Sequence, residues 1–171
     1  MLPIKTADEL IDAELEARWE ARRADRRRDV LQHILRTFID HGGPVPVEAV
    51  ARAFPDRAPD VLRTTLATLD EQDLIQVRDG RVEVAYPFSM GPTAFVARLA
   101  DGQERYACCA IDALGLAPML GHPVHIRSWC HHCRVPLELE VGPDGPLAAG
   151  DGIMVWVATR EAGERRLTTS L

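Results

Sequence analysis

The hydrophobic period changes part-way along the chain, from a helical repeat to strand-like runs set around Asp-Gly turns, and this order limits the available folds more than any other feature. Val30, Leu31, Ile34, Leu35, Phe38 and Ile39 form one apolar stripe before Gly42-Gly43-Pro44. That is the pattern of a helix with one buried face and a sharp stop. A shorter helix is expected around Val47, Val50, Ala51 and Phe54, ended by Pro55. Pro59 then sits where a first helical turn tolerates proline, and Leu62, Leu66, Leu69 and Leu74 mark a third helix. Upstream, Thr6 and Glu9 have the spacing of a capping box, opening a helix through Leu10, Ile11, Leu15 and Trp19. Over residues 20–29 the pattern is nearly all charge. Arg22, Arg23, Arg26, Arg27 and Arg28 among acids read as a solvated helix face laced by i,i+4 pairs more readily than as a phosphate-binding patch.

Ile75-Gln76-Val77 and Val82-Glu83-Val84 flank Asp79-Gly80, a hairpin signal. After Tyr86-Pro87-Phe88-Ser89 strands dominate: residues 93–99 and 104–107 flank Asp101-Gly102, and residues 123–129, 135–141 and 153–159 add three more β-rich runs. Residues 108–120 read as a short apolar helix ended by Gly121, and residues 161–171 as a polar tail. The expected fold is therefore α+β. Residues 1–85 make an N-terminal winged-helix-like three-helix domain, and residues 86–171 a small mixed β-sheet domain with a short active-site helix.

A length of 171 residues fits one compact domain or two small ones. With 46% hydrophobic and 27% charged residues, 12 Gly and 12 Pro, the chain is not disordered, collagen-like or of low complexity. No run approaches the roughly 18 apolar residues that span a bilayer, and the start lacks the basic and apolar regions of a signal peptide, so a cytoplasmic location and no membrane partner are expected. The net charge is −6 and both halves carry more acids than bases. Around the third helix Arg57 and Arg63 face Asp60, Asp70, Glu71 and Asp73, a poor surface for a phosphate backbone, which argues against a nucleic-acid partner. Oligomeric state is left open.

All four cysteines, Cys108, Cys109, Cys130 and Cys133, fall in one short stretch. In a reducing compartment such clustering suggests metal, redox or nucleophilic chemistry more than a disulfide framework. If a helix begins near Cys108, then Cys109 and Asp112 stand at i and i+3 on one face. Backbone N–H groups at a helix start draw a cysteine toward its thiolate, and a partly buried Asp beside it is expected to have its pKa pushed up. One group could then attack while the other holds a proton. The plainer reading is a packing cysteine and an acid favourable in a first turn. Cys130-His131-His132-Cys133 can set two sulfurs on one soft metal ion, with either His adding a nitrogen. A closed zinc site needs four ligands and would have to borrow from Cys108, Cys109, His122, His125 or another subunit. A structural metal, a soft-metal or redox dithiol, and packing cysteines all remain readings of this turn.

Taken together, these residues resemble the organomercurial (alkylmercury) lyases. The match runs through Tyr86-Pro87-Phe88-Ser89, Pro92-Thr93, the turn at Asp101-Gly102, Tyr106-Ala107-Cys108-Cys109-Ala110-Ile111-Asp112-Ala113-Leu114, Leu120-Gly121, and Ser128 with Cys130. The resemblance implies protonolysis of a carbon–mercury bond to a hydrocarbon and Hg(II), in a helical winged-helix-like domain joined to a mixed sheet. It implies that Cys109 is the first mercury-binding cysteine, Asp112 the proton-handling aspartate, and Cys130 a structural cysteine. It implies a small organometallic substrate, external thiols that remove the product, and no required cofactor, Hg(II) being a product ligand. The family's second essential cysteine would follow about Arg166, where this sequence has none, so a short member lacking that cysteine is expected. Cys133, ahead of Cys108 and Cys130, is then the candidate substitute thiol, because adjacent Cys108 would point roughly 100° away around a helix. The candidate metal ligands are Cys109, Cys130 and Cys133, with a soft metal or zinc at Cys130 and Cys133. A non-catalytic soft-metal binding protein and a metal-responsive regulator are the competing readings.

Overall fold

The computed structural model describes residues 4–6, 9, 17, 20, 29–147 and 152–156. The expected helix through Leu10, Ile11, Leu15 and Trp19, most of the charged run after it, and the polar tail lie outside the described residues. At Thr6 and Glu9 the Glu9 carboxylate accepts the Thr6 N–H at 2.8 Å and the Thr6 hydroxyl at 2.9 Å, the Glu-to-Thr half of a capping box.

Helix α1, Asp29–His41, buries Val30, Leu31, Ile34 and Phe38, the stripe that the periodicity predicts. It stops at Gly42, whose φ of 61° is open to glycine without strain and whose N–H bonds the Phe38 carbonyl at 3.1 Å. Strand β1, Val45–Pro46, leads into α2, Val47–Ala53, and α3, Pro59–Glu71, begins with proline in its first turn and buries Leu62, Leu66 and Leu69. Strands β2, Ile75–Arg78, and β3, Arg81–Ala85, form the hairpin expected at Asp79-Gly80. Both turn residues have positive φ, 47° and 73°, as a two-residue turn matched to strand twist requires.

The chain continues through β4, Phe88–Ser89, β5, Phe95–Arg98, and β6, Glu104–Ala107, then α4, Ala110–Leu114, and α5, Leu116–Leu120. Strands β7, Val124–Trp129, β8, Pro136–Gly142, and β9, Gly145–Pro146, complete it. Among the described residues one nine-stranded sheet results, in the order β1-β3-β4-β6-β5-β7-β8-β9, with β2 also on β3. The α+β class is as expected, but the sheet is neither small nor mixed: each of its pairings is antiparallel. The physical reason is the connections. Neighbouring strands are joined mostly by tight turns, and the helical segment α4–α5 carries the chain from β6 past β5 to β7, so no parallel pair becomes adjacent.

Two further expectations are corrected. Residues 108–120 make two short helices instead of one, broken at Gly115. In a single helix Pro118 would lack an N–H for the Leu114 carbonyl and its ring would strike it; starting a new helix at Leu116 puts Pro118 in a first turn, where neither problem arises. The expected strand over residues 153–159 is absent across its described part, residues 153–156, which have no sheet partner. β-rich composition makes a strand only where a ladder neighbour is available; residues 157–159 lie outside the described set.

The main core cluster joins Val30, Leu31, Ile34 and Phe38 of α1 to Val82, Phe88, Ala97, Ala107, Leu116, Val124 and Ile126. The boundary expected after residue 85 thus falls within one sheet and one core. Arg105, buried on β6, fastens the two parts: its Nε donates to the carbonyls of Phe38 at 2.8 Å and Ile39 at 3.1 Å, and its Nη2 also donates to Ile39. The Phe38 carbonyl also accepts the Gly42 N–H, so the guanidinium adds a second bond there and takes up the Ile39 carbonyl in the last turn of α1. The approach is close enough that a Cβ on Gly42 would sit 2.7 Å from Arg105 Nη1. Among the described residues no helix is long and apolar enough to cross a membrane.

Candidate active site

The candidate residues gather at one end of the sheet. Strand β6 delivers Ala107 there, paired with Phe88 on one side and Phe95 on the other. The Thr93 hydroxyl donates to the Ala107 carbonyl at 2.6 Å and accepts the Phe95 N–H at 3.1 Å, pinning the strand end just before the two cysteines. The Cys108 N–H then bonds the Pro87 carbonyl at 3.0 Å, and the Tyr86 N–H bonds that of Leu74, also at 3.0 Å. These ties hold the Tyr86-Pro87 turn and the end of β2 against the start of α4.

Cys109 is the N-cap of α4, in extended conformation, and its Sγ accepts the Asp112 N–H at 3.4 Å. The i,i+3 spacing therefore brings Cys109 and Asp112 together as read from the sequence. The expected bias toward thiolate does not hold. Burial, and next the hydrogen bond that the thiol gives to the Asp112 carboxylate, push the Cys109 thiol up to about 11. The N–H groups of Asp112 and Ile111 act in the opposite sense but are outweighed. A one-turn helix in a half-buried setting supplies too little field to overcome desolvation plus a facing carboxylate.

Cys108 points the other way, into a small apolar cluster with Val84 and Tyr86. Burial pushes its thiol far up, with Asp112, Cys109 and Asp73 adding to the effect. Tyr86 is pushed up for the same first reason, and Cys108, Asp73, Asp112 and Cys109 all bear on it. In the sequence Tyr86 and Thr93 carry no stated role, and Asp73 is only one of the acids around the third helix. Asp73 is in fact buried, with a φ of 61°; an Asp tolerates that left-handed conformation, but nothing local in the sequence announces it.

Cys130 and Cys133 sit in the turn between β7 and β8. Val96 pairs with Arg127 while Phe95 pairs with Ala107, so this turn lies at the same end of the sheet as Cys109. Strand β5 intervenes, which separates β6 from β7 by about 10 Å at the usual strand spacing. The turn is closed by the Cys130 N–H on the Val135 carbonyl at 2.8 Å and the Arg134 N–H on the Cys130 carbonyl at 2.9 Å. The N–H and thiol of Cys133 and the N–H of His132 face Cys130 Sγ and hold its pKa below the ordinary thiol value. All four cysteines are free. Among the described residues no three His, Cys, Asp or Glu side chains converge as a metal-holding group. Cys109, Cys130 and Cys133 are thus not assembled into one centre, and the four ligands of a closed zinc site at Cys130 and Cys133 are not supplied. His122 lies against its neighbour's carbonyl and His125 faces Glu138 at 3.7 Å.

Residues 88–170 match the family MerB, alkylmercury lyase. Over that segment the chain is similar to the alkylmercury lyases. Relatives agree. The chain is 36% identical over 110 residues to the alkylmercury lyase of Streptomyces lividans, a match covering 64% of this chain and 49% of that protein. The same figures hold for the alkylmercury lyase of Staphylococcus epidermidis. The chain therefore spans about half the length of the curated relatives it matches. A crystal structure of the mercury-bound form of MerB2 superposes with a TM-score of 0.62 at 25% identity, covering 80% of this chain and 67% of that one. The matched segment begins at β4 and so contains the Thr93 tie, Cys108, Cys109, Asp112 and the Cys130–Cys133 turn, while Tyr86 and Asp73 lie outside it.

Proposed function

We propose that this protein cleaves the carbon–mercury bond of small organomercurials by thiolate-assisted protonolysis, giving a hydrocarbon and Hg(II). The observation that carries this reading is the seating of Cys109 Sγ on the Asp112 N–H at 3.4 Å, which places the soft nucleophile beside the residue whose carboxylate bears on its proton. As mercury approaches Cys109, the thiol proton passes to the Asp112 carboxylate and a sulfur–mercury bond forms. Asp112, now an acid, returns that proton to the carbon as the carbon–mercury bond breaks. Hydrocarbon leaves and Hg(II) stays on Cys109 with one external thiolate. A second external thiol then reprotonates Cys109 and removes the metal as a dithiolate. An external thiol, instead of Cys108, Cys130 or Cys133, supplies the second sulfur on mercury, because Cys108 is turned into the core and the other two face each other. Electron donation from that second thiolate weakens the bond to carbon.

Helices α1–α3 with β1 and the β2–β3 hairpin act in this reading as a winged-helix-like packing unit that brings Asp73 and Tyr86 to the site. Ion pairing of Arg57 with Asp29 and of Arg63 with Asp60 disfavours nucleic acid on α3. The free thiols suit a cytoplasmic setting.

The test is release of benzene or methane from phenylmercury or methylmercury by the reduced protein with excess small thiol. Turnover by the wild type, with none by Cys109→Ser or Asp112→Ala, is expected. Retention of one equivalent of metal through Cys109 without any hydrocarbon would replace this reading by that of a soft-metal binder.

A further inference from the structure

The Cys130–Cys133 turn carries chemistry that the proposed cleavage does not use. Two backbone hydrogen bonds, Cys130 N–H to Val135 and Arg134 N–H to Cys130, close the turn without any bond between the sulfurs, and Arg134 takes the left-handed conformation, φ 61°, that completes it. This frame sets Cys130 and Cys133 three residues apart in one closed turn, both with free thiols. Cys133 is exposed and Cys130 half-buried, so a solute can reach the pair from the open side. Among the described residues, no third His, Cys, Asp or Glu ligand joins them. A preformed pair of sulfurs with no further donor suits a centre that is content with two thiolates, and not one that demands four ligands.

We propose that Cys130 and Cys133 form a second, self-contained dithiol site, which chelates a thiophilic centre of the class of Hg(II) or monosubstituted arsenic(III) independently of Cys109. With Hg(II), two sulfur–mercury bonds form and both thiol protons go to solvent. With an arsenoxide, two sulfur–arsenic bonds form, the arsenic–oxygen bond breaks, and the oxygen leaves as water with the two thiol protons. Arsenic stays trivalent and no electrons change hands. The site stands at the same end of the sheet as Cys109, so it is also placed to take Hg(II) released there. That last role rests on the lyase reading; the chelation does not.

Phenylarsine oxide is the probe, because it is held firmly by paired thiols and only loosely by single ones. Full-length reduced protein is mixed with one equivalent, challenged with a large excess of a monothiol, and weighed intact by native mass spectrometry. Wild type and Cys109→Ser should each keep one phenylarsenic. Cys133→Ser should hold it roughly 100-fold more weakly, the low end of what linking two binding groups contributes. Cys133 is exposed, so that variant folds, and an unchanged circular dichroism spectrum checks it; Cys130→Ser is the second arm. Retention of arsenic by Cys133→Ser, or its loss from Cys109→Ser, would overturn the assignment. Hydrocarbon release plays no part in this readout, so failure of the dithiol site and failure of the lyase reading are separately visible.

Discussion

Replacing Asp112 by Asn should make Cys109 more reactive toward a neutral alkylating agent while abolishing its use in carbon–mercury cleavage. The Cys109 thiol is pushed up to about 11, first by burial and next by the hydrogen bond it gives to the Asp112 carboxylate. The Asp112→Asn change removes the carboxylate and its charge but leaves the burial. The thiol then falls part of the way toward the free-cysteine value of roughly 8.5, and a fall of about one unit is a reasonable share for the smaller cause. At pH 8 that change multiplies the thiolate fraction by about ten, while the less basic thiolate is intrinsically slower by about threefold, for a net gain of roughly threefold. The assay is the rate of iodoacetamide labelling of the peptide that contains Cys109, followed by mass spectrometry so that Cys130 and Cys133 do not interfere. A rate that is unchanged or lower in Asp112→Asn would refute the claim that the carboxylate holds the thiol proton, and with it the proton path to carbon.

Two other outcomes follow from the same physics. Arg105→Ala should destabilise the fold by about 2 kcal/mol in urea unfolding, because it removes the buried guanidinium's bonds to the end of α1 and leaves the Ile39 carbonyl without its donor, and Arg105→Lys should not restore it, since one ammonium cannot reproduce the forked contact. Stability should also fall in alkali beyond the trend of exposed groups. Cys109, Cys108 and Tyr86 are all raised in the folded state. Their contribution is complete below the unfolded thiol value of roughly 8.5 and is lost as pH rises through about 11 for Cys109, so urea midpoints measured from pH 8 to 11 should drop, and less steeply in Cys108→Ala.

What was legible in the sequence is what local pattern determines. The stripe from Val30 to Ile39 became α1, and Asp79-Gly80 and Asp101-Gly102 became tight turns, because one-faced burial and positive φ are demands met by a few neighbouring residues. The broken helix at Gly115 was equally local but needed Pro118 to be weighed against the Leu114 carbonyl. Residues 153–156 misled because a strand needs a partner, and partner choice is a property of the whole sheet. The site divides along the same line. Cys109 and Asp112 meet because they are one helical turn apart, whereas Tyr86 and Asp73 join them through the register of β2, β3, β4 and β6, which no short window contains.

The error over Cys109 is the more instructive one, since the backbone N–H groups that favour a thiolate are present at its sulfur. The balance was decided by burial and by the direction of one carboxylate, quantities that arise only when the sheet end closes over α4. A protonated Cys109 also suits the proposed reaction better than a resting thiolate would. The proton that must reach carbon is then already in the site, shared between sulfur and Asp112, and mercury binding itself moves it to the acid. A thiolate at rest would have to draw that proton from solvent after the substrate had excluded it.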